Sequence, residues 1–303
     1  MIALQEWVFA SPIRDTWLYE LLVPGRTGLL PWLIGIAGGL FIGIAAYRKR
    51  ALTGSGAAAA AVLGALLYAV GSLVWFAALI AFFASSTTFS LWKKHLRKAA
   101  EESYEKNGTR DAWQVAANGL PGSVLCVLYS IWPHPILLAG FLGVMAAVNA
   151  DTWATEIGGL SRRGPRFILT GKPVPAGTSG GITALGSAAS AAGALFIGGC
   201  AAVCLYLVPE SGMRTEAVEL VGLAAAAFAG GLVGSFTDSL LGATVQRMYR
   251  CTVCGRSVER ITHCNQPAVL ARGIVWMNND AVNIISSMVG GAVAALVGFL
   301  LLP

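Results

Sequence analysis

Three aspartates lie inside segments that are otherwise apolar: Asp151 in Asn149-Ala-Asp-Thr-Trp-Ala-Thr-Glu156, Asp238 in Gly234-Ser-Phe-Thr-Asp-Ser-Leu-Leu-Gly242, and Asp280 in Asn278-Asn-Asp-Ala-Val-Asn283. An ionised Asp near a bilayer centre costs roughly 2.5 to 3.5 kcal/mol, so such groups are expected to face a protein interior, a wet cavity or a bound cation. Their neighbours follow helical spacing. Asp280, Asn283 and Ser287 recur at i, i+3, i+7, and Asn279, Asn283 and Ser286 at i, i+4, i+7. Asn149, Thr152 and Glu156 share one face, with Asp151 and Thr155 about a quarter-turn away. Ser235, Asp238, Ser239 and Gly242 form a narrow polar strip.

Hard oxygen ligands, small neighbours and no His in these strips point to Mg²⁺ rather than a softer transition metal. Mg²⁺ is typically held by one or two carboxylates together with substrate phosphates. Hydrogen bonding between helices is the competing reading for the Asn and Ser residues. A phosphate cradle is available in Thr170-Gly-Lys-Pro-Val-Pro-Ala-Gly-Thr-Ser-Gly-Gly-Ile-Thr183, beside the basic Ser161-Arg-Arg-Gly-Pro-Arg166. There Lys172 supplies a cation, Gly177, Gly180 and Gly181 allow close backbone approach, and the amides of Ser179 to Gly181 at a helix start would point at an anion. The same glycines would also serve plain helix packing.

A second metal-like pattern is Cys251-Thr-Val-Cys254-Gly255 followed by His263-Cys264. It could supply four zinc ligands, although adjacent His263 and Cys264 demand unusual geometry; reduced structural thiols and a redox pair are the alternatives. Cys126, Cys200 and Cys204 lie in apolar stretches and read as packing residues.

The elements that must carry these groups are membrane helices. The chain is 56% hydrophobic and only 12% charged, with mean hydropathy +0.68, whereas soluble domains are about 25% charged. An all-α, polytopic bundle of about eight spans is expected, because each crossing needs roughly 20 apolar residues. The spans are placed near Leu29 to Tyr47, Gly54 to Gly71, Leu73 to Trp92, Ala112 to Trp132, Ile136 to Leu160, Ser179 to Val208, Ala217 to Gln246 and Ile274 to Leu302. The last three are long enough to tilt or break.

All but Arg14, Arg26 and Arg214 of the 21 Lys and Arg residues fall after the first, third, fifth and seventh spans. Basic residues are retained on the cytoplasmic side, so residues 93–111, 161–178 and 247–272 read as cytosolic loops and both termini as extracytoplasmic. This topology, with some anionic-lipid or phosphate binding, accounts for the net charge of +6. No segment resembles a nucleic-acid module. Residues 1–28 lack a basic n-region and a long apolar run, so a cleaved signal peptide is not expected; Trp7, Phe9, Trp17 and Tyr19 suit an interfacial segment. Asp151 precedes Arg162 by eleven residues, Asp238 precedes Arg247 by nine, and Asp280 follows Arg272 by eight. At 1.5 Å per residue, all three lie roughly 12 to 17 Å from a basic loop, in the cytoplasmic half of the membrane.

Weak internal similarity suggests a parallel repeat of two four-helix units. Thr53-Gly-Ser-Gly56 parallels Thr178-Ser-Gly-Gly181, and Arg110, Trp113 and Asn118 roughly parallel Arg272, Trp276 and Asn279.

The motifs around Asp151, Asp238 and Asp280, with Thr178-Ser-Gly-Gly-Ile-Thr183, Cys251-x-x-Cys-Gly and His263-Cys264, resemble the membrane-protein family of the plant phytyl-phosphate kinase and animal transmembrane protein nineteen. The resemblance covers nearly the whole chain after the first span, and a looser one extends to CTP-dependent lipid kinases and cytidylyltransferases. It implies phosphoryl transfer from a nucleoside triphosphate, with CTP favoured, to an isoprenyl or polyprenyl monophosphate. Under that implication Asp151, Asp238 and Asp280 hold Mg²⁺, and Asn149, Asn279, Asn283 and Asn118 complete or orient its shell. Lys172 and the Ser179, Gly180 and Gly181 amides stabilise the transferred charge, with Ser239 as a further substrate-binding residue. The Cys set, incomplete in animal relatives, would support folding. Glu156 is either a further ligand or a partner for Arg162 or Arg163. The implied location is a bacterial plasma membrane with the site facing the cytoplasm. A transporter or flippase of polyprenyl phosphate is the competing class, since helical repeats and buried carboxylates also suit carriers. A lipid-phosphate scaffold without turnover is a third.

Overall fold

The computed structural model describes residues 28–92, 109–209 and 216–302. The expected interfacial segment, apart from Gly28, and most of the loop 93–111 lie outside the described residues. Among the described residues are eight helices long and apolar enough to cross a membrane. They are α1 (Leu30–Arg48), α2 (Gly54–Leu66, continued by a π-helical turn at Leu67–Gly71), α3 (Leu73–Trp92), α4 (Ala112–Ile131), α5 (Pro135–Gly158), α6 (Ala184–Leu207), α7 (Ala217–Thr244) and α8 (Asn279–Leu301). The chain is an integral membrane protein.

Local sequence sets most of the helix starts. Pro stands in the first turn of α1 and α5, where its missing N–H costs nothing. Thr53, Asp111, Thr183 and Asn278 cap α2, α4, α6 and α8 by accepting a hydrogen bond from the backbone N–H three residues on. Asp111 and Gln114 complete a reciprocal capping box.

α5 is the hub. Its core window is 72% buried, against 28% to 44% for the other spans, and it packs against α3, α4, α6, α7 and α8. α1 and α2 pack on each other at the periphery, with α2 also touching α4. Small residues set the spacing around α5: a Cβ at Gly143 would collide with Ala294 of α8, and one at Gly234 of α7 with Ala147 of α5. Such close approach is the usual basis of helix association in lipid, where apolar burial alone gives little drive. Farther along the bundle, Trp75 stacks against Tyr129 and Phe141 at 5.1 and 4.4 Å. Leu33, Phe41, Phe299 and Leu300 stay exposed on outer faces, as suits side chains that meet lipid.

Two spans start later than expected. The sixth begins at Ala184 rather than Ser179, because Gly181–Ile182 (β2) pairs antiparallel with Arg166–Phe167 (β1). The eighth begins at Asn279 rather than Ile274, because the Ile274 N–H is taken by Val245 O and Met277 closes a turn onto Ile274. No break interrupts α6, α7 or α8. The loop between α7 and α8 folds into short strands: β3 (Met248–Arg250), β4 (Ser257–Val258) and β7 (Val269–Arg272) in a sheet ordered β4-β3-β7, beside a hairpin of β5 (Thr262–His263) and β6 (Gln266–Pro267).

The local likeness between the halves rests on Thr53 and Thr183, each capping through a Gly three residues on. It is therefore offset by five residues from the Thr178 alignment. Packing differs between the halves, since α5 to α8 form a close bundle while α1 lies outside it.

Candidate functional site

Where α5 ends and α6 begins, the helices enclose a cavity of about 190 Å³. Asp151 and Thr155 of α5 line one wall, Ser187 and Ser190 of α6 another, and Ser235 and Ser239 of α7 a third. The mouth is formed by Ser161, Arg163 and Pro165 on one side and Gly177, Thr178 and Gly181 on the other. Thr183 and Gly186 bring the N-terminus of α6 to the cavity, which places the positive end of a 24-residue helix there. That end seats closely on α5, since a Cβ at Gly158 would lie 2.9 Å from Gly186 Cα.

Asp238 is not itself in the lining; it lies on α7 between the lining residues Ser235 and Ser239 in sequence, and the Ser286 hydroxyl of α8 donates to its Oδ2 at 3.3 Å. Asp151 is close enough for the two carboxylates to repel. Ser190 is 2% exposed and its hydroxyl has no hydrogen-bond partner, an arrangement that native proteins seldom leave without a ligand or water. Ser190 does not stand out in the sequence, and Arg163 does so only within its basic stretch and as a possible partner for Glu156. The signal for Ser190 was its i, i+3 spacing from Ser187 in an Ala-rich span.

The Gly-rich loop reaches the site by a different route from the one expected. Ser179 does not line the cavity: its hydroxyl donates to Gln246 Oε1 at 2.7 Å, and Gln246 Nε2 donates to Glu259 Oε1 at 3.0 Å. Gly180, at φ +84°, lies against α7, where a Cβ would meet the Ala243 backbone at 2.7 Å. Gly181 lines the cavity, yet its N–H is already bound to Thr178 O at 2.9 Å. The three consecutive amides therefore do not form a free cradle. Lys172 is exposed and outside the cavity lining, because its backbone O pairs with Phe167 N at the far end of the β1 turn, whereas Arg163 is in the lining.

The remaining residues of the polar strips are dispersed. Asn149 is fully buried with both side-chain atoms engaged, accepting from Ser85 at 2.9 Å and donating to Gly193 O at 2.8 Å, so it ties α3, α5 and α6 together. Glu156 accepts from Ser90 at 2.6 Å. Asn118 faces a separate apolar crevice with Arg110, Phe82 and Leu63. Asn279 and Asp280 form the first turn of α8, where a carboxylate favours the helix dipole. Asp280 lies six residues before Ser286, about 9 Å nearer the helix start. Neither these two nor Asn283 lines the cavity.

Arg272 braces the end of α7, donating to Ala243 O and, at 2.9 Å, to Gly242 O. Burial lowers its pKa from the ordinary arginine value. In the same loop, Cys251, Cys254, His263 and Cys264 bring their ligand atoms within 4.8 Å of one another.

Over residues 37–291 the chain matches the family model described as Integral membrane protein DUF92. Protein PGR of Arabidopsis thaliana is 28% identical over 260 residues, which cover 81% of this chain and 88% of that protein. An uncharacterized membrane protein of Methanocaldococcus jannaschii is 29% identical over 253 residues, covering 82% and 87%. Protein VTE6, chloroplastic, of Arabidopsis thaliana is 25% identical over 255 residues, covering 81% and 65%. No solved structure matches the chain.

Proposed function

The chain belongs to the integral membrane family DUF92, and from that premise we propose that it transfers a phosphoryl group from a nucleoside triphosphate, CTP by preference, to an isoprenyl or polyprenyl monophosphate at the cytosolic membrane face. The observation that carries the proposal is one cavity lined by Asp151, the unpartnered Ser190 hydroxyl, Arg163 and the α6 N-terminus, with Asp238 behind that lining and next to Asp151. Its resemblance to the family of the plant phytyl-phosphate kinase supports the same chemistry.

The donor set suits Mg²⁺: two hard carboxylates that repel each other, with Ser235 and Ser239 alongside. Asp151 and Asp238 would hold the ion, which when bound would neutralise phosphate charge and align the two substrates. An acceptor phosphate oxygen forms the new bond to the terminal phosphorus of the triphosphate as the bond to the leaving nucleoside diphosphate breaks. The acceptor is already an anion at neutral pH, so no strong base is required. Arg163 and the α6 N-terminus stabilise charge on the transferred group, and the Ser190 hydroxyl donates to a phosphate oxygen. A volume of about 190 Å³ is below the roughly 300–1,000 Å³ of a pocket for a whole organic ligand. It suits phosphate groups, with the nucleoside outside in water and the isoprenoid tail along the apolar helix faces. Asp280, Asn279, Asn283, Asn149 and Asn118 then act in the scaffold rather than on the phosphates.

The test is purified protein in detergent with Mg²⁺, labelled CTP, ATP or GTP, and phytyl, farnesyl, geranylgeranyl or undecaprenyl phosphate. A diphosphate lipid is the expected product. Its absence for every pair, with the lipids still binding, would refute the kinase; flux of the same lipids across liposomes without turnover would instead establish a carrier.

A further inference from the structure

The four-residue cluster between α7 and α8 is independent of the phosphate cavity and is built on two backbone corners. At the first, Gly255 N–H bonds Cys251 O at 3.0 Å and Cys251 N–H bonds Arg256 O at 2.9 Å. Gly255 takes φ +70°, and the Val253 N–H points at Cys251 Sγ at 3.4 Å. This turn carries Cys251 and Cys254 on one side. The second corner joins β5 to β6 through Cys264 and Asn265, at φ +52° and +57°. Two consecutive positive φ values make a primed hairpin turn, a backbone conformation that costs energy in a non-glycine residue. The strained turn swings Cys264 back beside its own neighbour. His263 Nδ1 then lies 3.5 Å from Cys254 Sγ and 3.2 Å from Cys264 Sγ.

These separations can be compared with a tetrahedral zinc site. Zn–S bonds of about 2.3 Å and Zn–N bonds of about 2.0 Å require ligand edges of roughly 3.8 Å between sulfurs and 3.5 Å between sulfur and nitrogen. The two His263 edges already match, and with all four atoms inside 4.8 Å closure needs movements of an ångström or less.

We propose that Cys251, Cys254, His263 through Nδ1, and Cys264 bind one structural Zn²⁺ that clasps the β3–β4 turn to the β5–β6 turn. Four protein ligands leave no open position, so the ion is a brace and not a catalyst. The clasped loop carries Glu259 and Arg272, which hold Gln246 and the end of α7. Zinc therefore stiffens the surface against which the Gly-rich loop rests. Binding displaces the thiol protons to solvent and changes no oxidation state.

Metal analysis of the full-length protein in detergent, after gel filtration without added metal, is expected to find one zinc per chain. Refolding or exchange with Co²⁺ should give the visible bands of a tetrahedral thiolate site. Cys254→Ser and Cys264→Ser should each weaken zinc binding about tenfold or more. His263→Cys should retain the ion while His263→Ala does not, a contrast that separates ligation from a fold defect. Thiols should react with an aromatic disulfide reagent only after chelation. Absence of metal uptake by the wild-type chain, thiols freely reactive in excess zinc, or a Cys251–Cys254 disulfide in protein purified under reducing conditions would each overturn the proposal. Every readout is independent of phosphoryl transfer, so failure of one proposal leaves the other standing.

Discussion

Replacing Gln246 by Leu tests whether the Gly-rich loop, the end of α7 and the sheet beyond it act as one unit. Gln246 is 3% exposed and Glu259 6%. The substitution keeps the bulk but removes the bond to Glu259 Oε1 at 3.0 Å and the one accepted from Ser179 at 2.7 Å. A neutral hydrogen bond nets about 1 kcal/mol and one to a carboxylate about 2, so Gln246→Leu should cost about 3 kcal/mol. Ser179→Ala removes only the neutral bond to Gln246 and should cost about 1 kcal/mol. Once Gln246 is gone the Ser179 bond no longer exists, so the double variant should be no less stable than Gln246→Leu, a coupling of about 1 kcal/mol. Thermal unfolding in detergent, followed by tryptophan fluorescence, measures all four corners of the cycle at roughly 2 °C per kcal/mol for a chain of this size. Costs that simply add would refute the relay. So would a Gln246→Leu protein as stable as wild type.

Asp151→Asn and Asp238→Asn should each abolish turnover and Mg²⁺-dependent stabilisation; by relieving carboxylate repulsion, each should raise stability without Mg²⁺ by on the order of 1 kcal/mol, so a melt that falls in both conditions contradicts the paired site. Arg163→Ala, at the cavity mouth, should lower kcat/KM about tenfold or more, whereas Lys172→Ala, exposed and outside the lining, should stay within about twofold of wild type; the reverse order in a steady-state assay would show that the loop rearranges when substrate binds. Asn149→Ala should cost about 1 to 2 kcal/mol of stability through the lost bonds to Ser85 and Gly193, with KM for the lipid unchanged; a large KM effect without destabilisation would return Asn149 to the site.

The membrane class and the helix count are legible in the chain because their causes are local. Each crossing must satisfy its backbone hydrogen bonds within one apolar segment, so composition and run length mark the spans. Caps such as Thr53, Asp111 and Asn278 act within three residues of themselves. The late starts of α6 and α8 escaped that reading, since they depend on Gly181–Ile182 pairing with a strand fifteen residues earlier and on Ile274 binding the end of α7.

The candidate site divides along the same line. Asp151 and Asp238 stand out from sequence because charge in an apolar span is costly wherever it points. Asn149 and Asp280 carry similar polarity in similar strings, but Asn149 faces backbone across a helix interface and Asp280 sits in the first turn of α8. Arg163 and Lys172 lie on one loop nine residues apart, and the β1–β2 pairing decides which of them meets the cavity. The spacing of Cys251, Cys254, His263 and Cys264 names the ligands, while the positive-φ turn at Cys264 and Asn265 brings adjacent residues onto one point. Sequence alone determined that this is a helical membrane protein with costly carboxylates near one face, because those are properties of single segments. Tertiary structure decided that Asp151 joins Asp238, Ser190 and Arg163 rather than Asn149, Asp280 and Lys172, because the direction a side chain faces is set by the helices and strands packed against it.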